Sequence, residues 1–277
     1  MMRIENNRYF VEVKEEAAEI TSFYDKELEI EYIWSGDATY WKGRNPILFP
    51  IIGSSYNKKY MFQGELYEMG NHGFARNSIF HFVEKTNDSI VLCLESNQET
   101  LAQYPFHFKL YVTYQLTENE LSIGYRIENC GDKIMPFNFG LHPAFNCPLQ
   151  KSEHFEDYWV EFSNEEILHG FGPHEDLAKT KHLPLSYEGF EKTPTWMYHN
   201  LKSPYVSYTN GEHGVRVSTV GFPVLAFWTP KAPFLCIEPW KGLGRKIEEE
   251  LPFEERDAVL SLEPGKHYLT HYSISVF

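Results

Sequence analysis

The feature that most constrains this chain is alternation. Phe108, Leu110, Val112, Tyr114 and Leu116 alternate with His107, Lys109, Tyr111, Thr113 and Gln115. After Thr117-Glu118-Asn119-Glu120, a second run puts Leu121, Ile123, Tyr125 and Ile127 opposite Ser122, Gly124, Arg126 and Glu128. A period of two places each set on one side of a strand, so the two runs predict a half-buried hairpin. The pattern recurs along the chain. Tyr9, Val11 and Val13 share one face. Leu28, Ile30, Tyr32 and Trp34 lie opposite Glu27, Glu29 and Glu31 and predict a strand over 27–34. Tyr268, Thr270, Tyr272, Ile274 and Val276 line the last strand. Ser78–Glu84 and Ser89–Glu95 form a further pair around Lys85-Thr86-Asn87-Asp88, and Asn210-Gly211 turns a hairpin between 205–208 and 215–219.

Helix signals are scarce. Ser96 with Glu99 makes a capping-box pattern for a turn or two that ends before Pro105. Pro46 and Pro50 break the apolar run 41–53 into buried irregular chain, and 150–203 mixes short strand-like pieces with Pro, Gly and charge. Strands from end to end with no linker between them predict one large antiparallel all-β domain over 1–277. The 18 Tyr and 21 Phe suit strands, and 277 residues suffice for a substantial core.

Charge and cysteine usage narrow the partners. A net charge of −14 repels phosphate backbones and anionic lipid, so neither nucleic acid nor membrane is expected as a partner. Cys93, Cys130, Cys147 and Cys236 are widely spaced and predict free buried thiols. The first eight residues are polar and charged with no apolar core to a leader, and no apolar run is long enough to span a bilayer. A cytoplasmic protein is therefore the expectation. There is no H-E-x-x-H, no G-x-S-x-G, no P-loop and no G-x-G-x-x-G; Gly242-Leu243-Gly244 lacks the third glycine. His169 with His174, Glu175 and Asp176 matches no established ligand spacing, so no metal is expected.

Three segments carry groups suited to proton transfer. In Gly140-Leu141-His142-Pro143, the proline restricts His142 to extended backbone, and Gly140 admits angles that bulkier residues avoid. An imidazole fixed in this way can give and recover a proton near neutral pH, or it can be a core histidine bonded to a carbonyl. Asn71-His72-Gly73-Phe74-Ala75-Arg76 offers a second imidazole and a guanidinium fork for paired oxygens, or else a surface turn with a salt bridge. Glu238 follows the apolar run Phe234–Ile237 and precedes Pro239-Trp240. Partial desolvation there would raise its basicity, as a general base requires, unless Lys241 or Arg245 pairs with it.

Taken together, His72-Gly73-Phe74-Ala75-Arg76, Gly140-Leu141-His142-Pro143-Ala144-Phe145, Cys236-Ile237-Glu238-Pro239-Trp240 and Pro46–Gly53 resemble the aldose 1-epimerase (mutarotase) family, in its LacX-like branch. The resemblance covers almost the whole chain in order. It implies a galactose mutarotase-like β-supersandwich and interconversion of the α and β anomers of an aldose, with Glu238 as general base and His142 as general acid. His72 would polarise the ring-oxygen region, and no cofactor is needed. Arg76 and Asn71 would hold hydroxyls, and Trp240 or Trp41 would stack on the sugar. Many relatives have Arg after the glycine corresponding to Gly53, where this chain has Ser54-Ser55, so either a substrate-contacting Arg is missing or Arg44 or Arg76 would substitute. The partner is then a small sugar, phosphorylated or not, and the oligomeric state is left open. The rival readings are a carbohydrate-binding protein without turnover and an epimerase of hexose 6-phosphates, which should gather Lys or Arg at one end of the cleft.

Overall fold

The long central hairpin forms where alternation places it. In a computed structural model that describes residues 1–173, 179–243 and 252–277, Phe108–Leu116 pairs with Glu120–Asn129 from Phe108↔Asn129 to Leu116↔Leu121. Among the described residues it supplies the sixth and seventh strands of a nine-stranded sheet. In spatial order the strands are Thr180–Pro184, Trp159–Glu166, Tyr205–Thr209, Gly214–Ser218, His267–Val276, Glu120–Asn129, Phe108–Leu116, Ser89–Glu95 and His81–Lys85. The predicted pairs at 78–95 and 205–219 are therefore present, and the last strand joins the first half of this sheet to the second.

A seven-stranded sheet faces it across the core. Its main path runs His169–Phe171, Thr195–His199, Val224–Trp228, Phe234–Lys241, Phe139–Leu141 and Ile47–Leu48, with Ala144–Asn146 also paired to Phe234–Lys241. Among the described residues every pairing between these and the other named strands is antiparallel. Leu110, Val112, Tyr114, Ile123, Tyr125 and Tyr272 of the large sheet join Leu225, Phe227, Leu235 and Ile237 of the small one in a single buried apolar cluster.

Four local expectations change. The predicted strand over 27–34 shortens to Ile30–Glu31, because Glu29 adopts a left-handed backbone at φ 55° and leaves Leu28 48% exposed. Glu31 does not face water: its carboxylate accepts from the Ser22 hydroxyl and from the N–H groups of Phe23 and Ile33. The helix Gln98–Gln103 is capped one residue later than predicted, by a reciprocal Asn97–Thr100 box, since the Asn97 side chain reaches the Thr100 N–H at 3.0 Å. All four thiols are free, but Cys130 is exposed. A second short helix, Tyr187–Lys192 with Ser186 as its cap, lies in the region that reads as irregular.

Candidate active site

The strand Phe234–Lys241 organises the site through parity alone. Successive side chains point to opposite faces, so Leu235 and Ile237 enter the core while Phe234, Cys236, Glu238 and Trp240 look the other way. Neighbouring strands continue that outer face. Thr195, Met197, Trp228 and Phe171 line a cleft of about 660 Å³ together with Glu238 and Trp240, a size typical of small-molecule sites. The register defines a row across the sheet: Glu238 opposes Ala226, Ala226 opposes Met197, and Met197 opposes Phe171.

On the other side of Glu238 the chain passes twice. Gly140 opposes Trp240 and Ala144 opposes Cys236, and the same register carried between them sets His142 opposite Glu238. Pro143 interrupts the strand but keeps the course, because its carbonyl accepts from the Ile237 N–H at 3.1 Å. Gly140 is required for space rather than for unusual angles, a correction to the sequence expectation. It does not adopt positive φ, and a Cβ there would lie 2.8 Å from Trp240 Cδ1 and 2.9 Å from Ile52 Cδ1.

His142 is 8% exposed and Glu238 1%, and His142 Nε2 stands 3.2 Å from Glu238 Oε2. That contact is not closed by good hydrogen bonds. Among the described residues Glu238 Oε2 is buried without a hydrogen-bond partner, and His142 Nδ1 bonds to no other residue. Trp41 lies along the His142 ring at 4.8 Å and Trp228 meets it edge-on at 5.5 Å, so the imidazole is held by aromatic faces. Burial pushes the Glu238 carboxyl well above the usual range, and the Arg76 guanidinium opposes this. The Trp240 N–H also favours the ionised carboxylate, although its geometry falls short of a hydrogen bond. Burial holds His142 well below the ordinary imidazole range, and the nearby His72 and Arg76 push the same way. Desolvation thus disfavours the charged form of both partners.

His72 is fixed from its backbone. It sits at φ 63°, its N–H donates to the Gly53 carbonyl at 2.8 Å, and its Nδ1 accepts from the Gly53 N–H at 3.0 Å. Because Nδ1 accepts, the neutral ring carries its proton on Nε2 and offers a donor. Burial and Arg76 lower its pKa to about 4, so the ring is neutral at physiological pH. Gly73 makes the turn necessary: at φ 72° its missing Cβ would lie 2.2 Å from the Phe49 carbonyl oxygen. The short turn Ala75–Asn77 then brings Arg76 to the cleft, where among the described residues it has no hydrogen-bond or ion-pair partner.

The structure thus places Asn71, His72, Arg76, His142, Glu238 and Trp240 around one cleft. Arg44 is elsewhere: its guanidinium bonds the Ser35 carbonyl and its backbone N–H the Glu19 carboxylate at 2.7 Å, so it supports the loop rather than lining the cleft. Lys241 does not pair with Glu238, because its ammonium reaches the Gly221 carbonyl, and Arg245 lies outside the described residues. His174, Glu175 and Asp176 also lie outside them, and His169 stacks on His199 at 6.3 Å. Ser54 lines the cleft where the family pattern has Arg. Sequence reasoning missed Phe171, Thr195, Met197 and Trp228. Alternation within Thr195–His199 and Val224–Trp228 was the available signal for three of them.

His142, Cys236 and Glu238 each present one ligand atom within 4.8 Å of the others, a spacing a metal ion could use. The Cys236 thiol, however, is packed among Trp34, Ala144 and Phe234, and burial pushes its pKa well above the usual thiol value. A metal would first have to displace that proton.

Residues 1–273 match the aldose 1-epimerase family. The chain is 33% identical over 297 aligned residues to the protein LacX encoded on a plasmid of Lactococcus lactis subsp. lactis, with 99% of both chains covered. A galactose mutarotase-like protein from Lactobacillus casei superposes with a TM-score of 0.92 at 31% identity, over 100% of each chain. A galactose mutarotase related enzyme from Lactobacillus acidophilus gives 0.91 at 30% identity, over 100% of this chain and 97% of that one. The antiparallel supersandwich and the whole-length similarity agree, and the chain belongs to the aldose 1-epimerase family.

Proposed function

We propose that this protein is a mutarotase, interconverting the α and β anomers of an aldose by acid–base opening and closing of the ring. The observation that carries the reading is the buried, unsatisfied contact between His142 and Glu238 at 3.2 Å, on the floor of a sugar-sized cleft. Carboxyl with imidazole and carboxylate with imidazolium differ only in the position of one proton. A bound sugar that supplies the missing hydrogen bonds turns the first form into the second.

In that form Glu238 takes the proton from the C1 hydroxyl. The C1–O5 bond breaks as C1=O forms, its electron pair goes to O5, and His142 delivers the proton there. Rotation about C1–C2 presents the other face of the aldehyde, and closure reverses both transfers. The Nε2–H of His72 is aimed as a donor to the ring-oxygen region. Arg76, unpaired among the described residues, holds hydroxyl oxygens. Each positioned acid or base is worth about 10²–10⁴ in rate.

Arg76 is the one Lys or Arg among the described residues lining the cleft, whereas a phosphate end would gather several, so the favoured substrate is an unphosphorylated aldose. The test is exchange NMR of anomer interconversion over a panel of aldoses and their 6-phosphates. Acceleration that Glu238→Gln abolishes supports the reading. No acceleration of any sugar, with binding retained, replaces it with the carbohydrate-binding alternative.

A further inference from the structure

The proposed proton transfers leave Cys236 unused, yet the fold delivers its thiol beside them. Cys236 and Glu238 stand two residues apart on the strand Phe234–Lys241, so parity puts both side chains on its outer face. His142 reaches that face from a distant segment, on the stretch where Gly140 opposes Trp240 and Ala144 opposes Cys236. No ligand spacing in the sequence announces the three together, because only register brings His142 to the other two. All three are buried, and their ligand atoms lie within 4.8 Å of one another.

Such a triangle has a centre at most about 2.8 Å from each corner, and zinc bonds run about 2.3 Å to sulfur and about 2.0–2.2 Å to nitrogen and oxygen. Closure by less than about 1 Å per side chain therefore suffices. Glu238 Oε2 is a free donor at this gap: among the described residues it is buried without a hydrogen-bond partner, 3.2 Å from His142 Nε2. Trp41 and Trp228 hold the imidazole ring in place against it. His142 and Glu238 line the cleft, whereas Cys236 lies behind them against Trp34, Ala144 and Phe234. Three protein ligands with a fourth position open to a cleft are a zinc geometry. Sulfur and nitrogen donors disfavour Mg²⁺ and Ca²⁺, which take oxygen. Apolar packing keeps the Cys236 thiol protonated, so the ion has to bind thiolate strongly enough to displace that proton, as zinc does.

From this geometry we infer that His142, Cys236 and Glu238 form a Zn²⁺ site, and that the bound ion arrests the chemistry of the cleft. The binding rests on the three side chains alone, and the arrest rests on the proposed function. Coordination occupies the Glu238 oxygen and the His142 nitrogen that carry the protons in turnover. It also sets a divalent charge where C1 and the ring oxygen of a sugar would lie. Zinc and sugar are then alternative occupants of one end of the cleft, with Cys236 a ligand to the ion and a bystander to the sugar.

The experiment titrates the full chain, freed of metal and kept reduced with a phosphine, with ZnCl₂ by calorimetry and with CoCl₂ by absorption. One ion per chain is expected, with the near-ultraviolet charge-transfer band of a thiolate bound to cobalt. Cys236→Ser should lower zinc affinity about 10²-fold or more and abolish that band, since losing even a residue behind a ligand costs about 10–100-fold. Cys236→Val fills the same apolar space without a donor and should behave alike, which covers a serine variant that fails to fold. In exchange NMR, saturating zinc should slow anomer interconversion by the native protein about 10²-fold or more, and a chelator should restore it. At the same zinc concentration both Cys236 variants should keep their zinc-free rate. If no sugar is turned over, the two titrations still read the site, so the mutarotase reading and the zinc site fail separately. No zinc binding, equal binding by native and Cys236 variants, or a zinc-loaded native protein with undiminished exchange overturns the inference.

Discussion

Two His–Glu pairs in this molecule share their chemistry and differ in what surrounds them. His142 Nε2 and Glu238 Oε2 lie 3.2 Å apart, and His213 Nε2 and Glu153 Oε1 lie 3.0 Å apart. Around Glu153 every want is met: the Tyr158 hydroxyl donates to Oε2 at 2.5 Å, the Gln150 N–H at 3.1 Å, and the Asn210 amide to Oε1 at 3.0 Å. Burial pushes the Glu153 carboxyl up, but the hydrogen bonds from Tyr158, Gln150 and His213 outweigh it and leave it below the ordinary range. Around Glu238, burial acts with only Arg76 and a poorly placed indole against it. The satisfied pair fastens the 210–213 turn to the 150–158 loop. The unsatisfied pair keeps its bonding capacity for a ligand, which is the difference between a strut and a site.

The sharpest way to break this contrast is to neutralise each carboxylate. Glu238→Gln should lower anomer exchange by about 10²–10⁴ while the thermal midpoint stays within a few degrees of native or rises, since an unpaired buried acid is removed. Glu153→Gln should do the reverse. It should cost about 1–3 kcal/mol in denaturant unfolding with exchange rates changed only a few-fold. Equal effects of the two variants on rate would end the distinction.

Arg76 offers a finer test, because its charge draws Glu238 down. Arg76→Met should weaken sugar binding about tenfold or more and move the acid limb of kcat/KM to higher pH, because Glu238 then holds its proton more tightly. A pH profile with an unmoved acid limb would detach Arg76 from the carboxylate.

The smallest effect concerns His72. Its folded pKa of about 4 lies below the ordinary imidazole value of 6.5, so between these values the unfolded chain binds more protons than the native one. Its contribution is present in full above pH 6.5 and is lost as pH falls towards 4, at no more than about 1.4 kcal/mol per pH unit. Urea unfolding of native protein against His72→Asn across that window should show a steeper native slope. Parallel slopes would mean that the imidazole is not held neutral.

Much of the fold was legible in the sequence because period-two patterning reports which face of a strand is buried, and nothing else competes with it in Phe108–Leu116 or His267–Val276. It failed at 27–34, where the pattern is equally good but the chain turns at Glu29, so a local left-handed residue overrode it. The six-residue helix Tyr187–Lys192 is too short for periodicity to register. In the site, the motifs drew attention to His72, His142 and Glu238, and parity explains why Cys236, Glu238 and Trp240 share a face. Arg44 misled because a guanidinium in sequence carries no sign of its partner; here that is the Ser35 carbonyl.

The sequence by itself determined the strands, their buried faces and the residue types able to move protons, because these follow from local spacing and side-chain chemistry. Only the tertiary structure decided which of them meet. Register set His142 against Glu238 and stretched the row to Phe171, and register depends on pairings between segments up to about a hundred residues apart. The fold likewise decided between the two pairs: whether a buried His and Glu become a strut or a site depends on how many donors the rest of the fold delivers to them.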